Sequence, residues 1–123
     1  MNANAAYQAY KSVQVNTASQ GELIIMLFDG AVRMATQADH YIEQGNIAGA
    51  NEKLLRVQDI MFELISALNM DTGEIAKNLY QLYDFVNQLL IKANVTKDRE
   101  PLQQALKLLT ELRDMWREVV ARV

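Results

Sequence analysis

Between Thr17 and Ala35 the chain reads TASQGELIIMLFDGAVRMA, and almost everything after Glu22 is apolar. Thr17 with Gln20, and Ser19 with Glu22, have capping-box spacing, so a helix starts here. It runs to about Gln44, where Gly45 supplies a stop. At about 100° per residue, Leu23, Leu27, Gly30, Ala31, Met34, Ala38 and Tyr41 share one face. That face alone would bury a helix in a bundle. Ile24, Ile25, Met26, Phe28, Val32 and Ala35 carry apolar character round most of the remaining circumference, and only Asp29 and Arg33, one turn apart, mark a polar strip. A helix apolar nearly all round must be covered, by the rest of its own chain or by another chain.

Three further helices follow. Asn46 caps a second, roughly 47–69, with a core face of Ile47, Ala50, Leu54, Val57, Met61, Leu64, Ile65 and Leu68. Asp71 and Glu74 give a D-x-x-E start to a third, roughly 73–94, burying Ile75, Leu79, Leu82, Tyr83, Val86, Leu90 and Ala93. Asp98 caps a fourth, roughly 99–121, in which Pro101 falls in the first turn, where no N–H is needed. Leu102, Ala105, Leu106, Leu109, Leu112, Trp116, Val119 and Val120 face its core, and Arg113 lies inside that stripe, either snorkelling or paired with a carboxylate. Four long helices on short connections predict an all-α, up-down-up-down antiparallel four-helix bundle spanning 17–123. Residues 1–16 predict a short flexible or helical N-terminal arm in which Tyr7, Tyr10 and Val13 share one side. Gly30, mid-helix, predicts close approach of a neighbouring backbone.

Composition narrows the function. With 123 residues, half of them hydrophobic, the chain makes one domain with a full core. A net charge of −3 and no Lys/Arg-rich run argue against nucleic acid. The absence of cysteine removes disulfides, thiolate metal sites and cysteine nucleophiles, and fits a reducing cytosol. No stretch is long and apolar enough to insert in a membrane, and no signal-peptide pattern opens the chain, so a cytoplasmic protein is expected.

Catalytic patterns are missing. There is one histidine, His40, and no Glu-x-x-His pair of the di-metal bundles; no metal or other cofactor is expected. No phosphate loop, G-x-S-x-G or H-E-x-x-H occurs, and the chain is not expected to be an enzyme. Two alternatives stay open. One is phosphotransfer through His40, although Tyr41, Ile42, Glu43 and Gln44 replace the Lys and Gly usual after such a histidine. The other is a structural bundle that self-associates, for instance as a homodimer.

Two stripes lie beside the core faces. One holds Asn51, Leu55, Gln58, Phe62 and Asn69; the other holds Tyr80, Asp84, Asn87 and Ile91. Large apolar groups interleaved with amides suit either a bundle edge or a surface for a partner helix or strand.

Short pieces spread over nearly the whole chain carry a family resemblance: Tyr10, Val15-x-Thr17-Ala18-Ser19, Leu27-Phe28-Asp29-Gly30-Ala31, Ala50-Asn51, Val57-Gln58-Asp59-Ile60 and Glu63-Leu64. Gly73-Glu74-Ile75-Ala76-x-Asn78-Leu79, Leu82-Tyr83, Ala93-Asn94 and Glu111-Leu112-Arg113-Asp114-x-Trp116 follow in the same order. The sequence resembles the flagellin-specific export chaperones of the FliS family. Gln20 stands where the family usually has Pro, and Phe28 where it often has Tyr. The resemblance implies a cytoplasmic bundle that binds the disordered C-terminal region of flagellin, prevents premature polymerisation and presents the client to the flagellar export gate without nucleotide or metal. It also implies that Tyr7 and Tyr10 serve an arm that covers part of the client surface when empty and helps dock at the gate. Such a client recovers its ordering entropy by burying apolar area, which places its contacts at Ile24, Phe28, Leu55, Gln58, Phe62, Asn78, Tyr80 and Ile91.

Overall fold

A computed structural model describes residues 20–122. It contains four α-helices: α1 Gln20–Glu43, α2 Ile47–Ser66, α3 Glu74–Thr96 and α4 Arg99–Ala121, with a 3-10 turn at Met70–Thr72 before α3. Helix α1 packs on α2 and α4, and α3 packs on the same two, which gives the expected four-helix bundle. Thr17 and Ser19, the expected caps of α1, and the arm tyrosines lie outside the described residues.

The helix ends follow from local chemistry. Gly45, at φ +74°, donates its N–H to Ile42 O at 3.0 Å, and Asn46 N donates to Tyr41 O at 2.8 Å. This paired closure needs a left-handed residue, which glycine supplies without Cβ strain. Asn46 and Asp98 cap α2 and α4 as expected, accepting from Gly49 N at 2.9 Å and Glu100 N at 3.0 Å. The α2–α3 connection departs from expectation. Helix α2 stops at Ser66, before the expected 69. Asn69 Oδ1 instead accepts from Asp71 N at 3.1 Å, and Asn69 O accepts from Thr72 Oγ1 at 2.7 Å. An asparagine offering its own turn competes with helix continuation. Asp71 is thereby spent in the 3-10 turn, and α3 starts from Gly73 with no side-chain cap.

The core runs the length of the bundle: Phe28, Ala31, Ala35 and Ala38 from α1, Leu54, Val57 and Met61 from α2, Tyr83, Val86 and Leu90 from α3, Leu102, Ala105 and Leu109 from α4. Phe28 and Tyr83 meet edge to face at its centre, ring centroids 5.8 Å apart. Trp116 Nε1 donates to Tyr83 Oη at 3.1 Å. Burial pushes the Tyr83 phenol up to about 12, the Trp116 hydrogen bond opposing it. A phenol whose pKa rises on folding favours the folded state only while it stays protonated. Stability therefore declines as pH climbs from the unfolded value near 10 toward 12, by on the order of 1.4 kcal/mol per unit. Urea midpoints at pH 9 and pH 11 should differ accordingly, and Tyr83→Phe should reduce the difference.

Ion pairs fasten α4 to α1 at both ends. Arg99 Nε and Nη2 donate to Asp39 at 2.9 and 3.0 Å, and its Nη1 reaches Glu43 at 2.9 Å. The Asp39 hydrogen bonds, then the two nearby carboxylate charges, raise the guanidinium's pKa further. Toward the other end, Asp29 pairs with Arg117 at 3.0 Å and Arg113 at 3.7 Å, rather than with Arg33. Of the two readings of Arg113, pairing holds.

Gly30 differs from expectation too. A Cβ built there meets Ile60 Cδ1 at 3.6 Å, an ordinary contact, and no backbone of another helix approaches. Gly30→Ala should therefore stabilise the bundle by about 1 kcal/mol, since it removes glycine's entropy cost without a clash. Chemical denaturation checks the sign.

Candidate docking surface

The buried stripe of α1 lies further round than the sequence face. Ile24, Phe28 and Ala35, which looked like excess apolar surface, are buried. Phe28 is fully enclosed and Ile24 is 9 % exposed, so neither of these two expected contact residues is surface. The physical reason is the Tyr83 ring, which draws the Phe28 side of α1 inward. Leu27 and Met34 are correspondingly only half-buried.

Some of the large apolar groups left in solvent line α2 and α3. Leu55 and Phe62 on α2 are exposed, Phe62 at 63 %, as are Tyr80 and Ile91 on α3. Asn94 Nδ2 on α3 donates to Asn51 Oδ1 on α2 at 3.0 Å, which fixes the register of the two antiparallel helices. From that bond, Gln58 lies two turns along α2, Asn87 two turns and Tyr80 four turns back along α3. Leu55, Gln58, Phe62, Tyr80 and Ile91 thus border one α2–α3 seam. Asn78 does not join them: two residues before Tyr80, it is turned about 160° away around α3. Asn69 leaves the stripe for its capping role.

Other large apolar groups are exposed off the seam. Phe85 is 53 % exposed on the flank of α3 away from the seam; an aromatic off both the core face and the stripe was its only signal. Ile75, expected in the core, is 73 % exposed, and Ile47 and Val119 are also exposed. All three lie near helix ends, where the neighbouring helix no longer covers them.

At the end of the bundle where α1 starts and α2 stops, a hollow of about 200 Å³ opens between Ile24, Leu64, Leu68, Leu79, Tyr83 and Trp116. Gln20, the first described residue, stands on its lining. His40 is exposed and borders a shallow hollow with Gln37, Tyr41, Gln44 and Lys53. Among the described residues no three His, Asp or Glu side chains gather to hold a metal, and no helix is long and apolar enough to cross a membrane. The surface offers apolar contact and amide hydrogen bonding.

Comparison with known proteins fits this character. The family model described as flagellar protein FliS matches residues 2–123. The chain is 37 % identical over 117 residues to a flagellar secretion chaperone FliS of Vibrio cholerae, covering 91 % of this chain and 86 % of that protein. It is 32 % identical over 114 residues to a flagellar secretion chaperone FliS of Bacillus subtilis, covering 93 % and 85 %. A flagellar secretion chaperone FliS of Salmonella typhimurium is 33 % identical over 118 residues, covering 91 % and 87 %.

Proposed function

The chain belongs to the family of the flagellar protein FliS, a family of flagellar secretion chaperones, and from that membership we propose that it captures the C-terminal region of newly made flagellin in the cytosol. Bound there, the client is kept from polymerising and is delivered to the flagellar export gate. The observation that carries this reading is the α2–α3 seam, where Leu55, Phe62, Tyr80 and Ile91 stay in solvent beside a complete core. Large apolar groups exposed along two adjacent helices suit an amphipathic client helix laid between them.

A disordered client has to recover its ordering entropy from buried area. The seam supplies apolar anchors, and its amides supply hydrogen bonds for register. No chemical step is involved, and the chaperone acts by mass action on the client's folding equilibrium. In this proposal residues 17–123 form the binding bundle and residues 1–16 the arm. Tyr7 and Tyr10 of that arm cover part of the client surface in the empty chaperone and, once displaced by the client, help dock at the gate.

Calorimetric titration with a peptide of about the last 60 residues of flagellin, followed by circular dichroism of the mixture, tests the proposal. Tight binding with a negative heat-capacity change and new helicity is the expected result. Absence of heat, with both partners intact, contradicts it.

A further inference from the structure

Asn87 stands on α3 at the α2–α3 seam, and its Oδ1 is buried with no hydrogen-bond partner among the described residues. It is the only buried side-chain nitrogen or oxygen in that state among them. Native proteins rarely leave such an acceptor unmet, because it loses its water and gains nothing. Its surroundings suggest what it waits for. Two turns away the same seam carries an amide pair whose acceptors are met: Asn94 Nδ2 donates to Asn51 Oδ1 at 3.0 Å, and Asn94 Oδ1 accepts from Lys97 Nζ at 2.8 Å. Seven residues along each helix from that bond, helical register sets Gln58 opposite Asn87, and here the Asn87 acceptor is unmet. Exposed Leu55, Phe62 and Ile91 flank this second pair.

We propose that the Gln58–Asn87 pair reads a hydrogen-bond donor set within the apolar stripe of the docked client helix, and so fixes that helix's register on the seam. The inference rests on the chaperone reading given above. A stripe made only of leucine would cover the apolar rims but leave the Asn87 acceptor unmet. A stripe carrying Asn, Gln, Ser or Thr over the pair supplies one. The terminal torsion of asparagine is soft, so a half-turn of the amide brings Oδ1 to the seam. Gln58 opposite then offers its carbonyl to the turned Asn87 nitrogen. One polar position inside an apolar contact gives up some affinity to exclude slipped registers and donor-free helices.

The test titrates the full chain with the flagellin C-terminal peptide and with variants of it. In each variant the Asn, Gln, Ser and Thr residues on the apolar face of one helix are replaced by Leu. The unmodified chain should prefer the parent peptide over one variant by about tenfold, the worth of a single hydrogen bond. Asn87→Leu should erase that preference while raising the urea midpoint of the free chaperone, because the unmet acceptor is gone. A residue that merely supported the fold would shift stability and affinity the same way. Asn87→Ala, which adds no bulk, should erase the preference too. If both Asn87 variants keep the full preference, or the unmodified chain never shows one, the inference is overturned while the chaperone reading stands. If the unmodified chain binds no peptide at all, both fall.

Discussion

Phe28→Ala lowers the unfolding free energy by about 3–5 kcal/mol, the cost of deleting a fully buried aromatic and leaving a cavity. The loss is large because Phe28 lies at the meeting point of three helices. Its ring stands edge-on to Tyr83 of α3, whose hydroxyl in turn accepts from Trp116 of α4. Removing it takes away apolar burial and the aromatic pair, and leaves a gap that Ala31 and Ala35 are too small to fill. A domain of this size has on the order of 5–15 kcal/mol in all, so the variant should be partly unfolded at moderate temperature. Urea denaturation followed by helical circular dichroism measures it. Client affinity should fall only as far as the folded fraction falls, because no atom of Phe28 reaches the surface. A loss under about 1 kcal/mol would contradict its place in the core.

Phe62→Ala and Tyr80→Ala should do the reverse. Both side chains are exposed, so each substitution changes stability by no more than about 0.5 kcal/mol. Each should weaken capture of the flagellin peptide by about 2 kcal/mol or more, roughly 30-fold, as expected when a central aromatic anchor is truncated. Non-additive losses in the double variant would place the two rings under one client helix. Wild-type affinity in both single variants would move the client off the seam.

The contrast between Phe28 and Phe62 also marks how far the sequence can be read. Capping residues and a 3.6-residue apolar period announced four helices. Asn46, Asp98 and Gly45 bound them because each satisfies backbone groups by chemistry local to its own segment. Periodicity also separated Leu55, Phe62, Tyr80 and Ile91 from the core, since on α2 and α3 a single stripe is apolar enough to be buried. On α1 it could not. There nearly every position is apolar, and the buried face depends on where Tyr83 and the Asp29–Arg117 pair hold the helix, which is tertiary information. Ile24 and Phe28 were misplaced for that reason. Asn69, expected in the α2 stripe, and Asp71, expected to start α3, depart for another: the turn they form together is a competition between neighbours that spacing alone does not decide. The unmet acceptor of Asn87 was invisible for the same reason as the α1 face, because satisfaction of an amide depends on what stands opposite.

A client helix lying over the α2–α3 seam can be caught there by site-specific photocrosslinking. A photoreactive benzoylphenylalanine replaces Phe62 in one sample and exposed Lys107 of α4 in another, and each is irradiated with the flagellin C-terminal peptide. Strong crosslinking is expected from position 62, abolished by excess unlabelled peptide, and none from position 107. Crosslinking from position 107 with none from position 62 would contradict it.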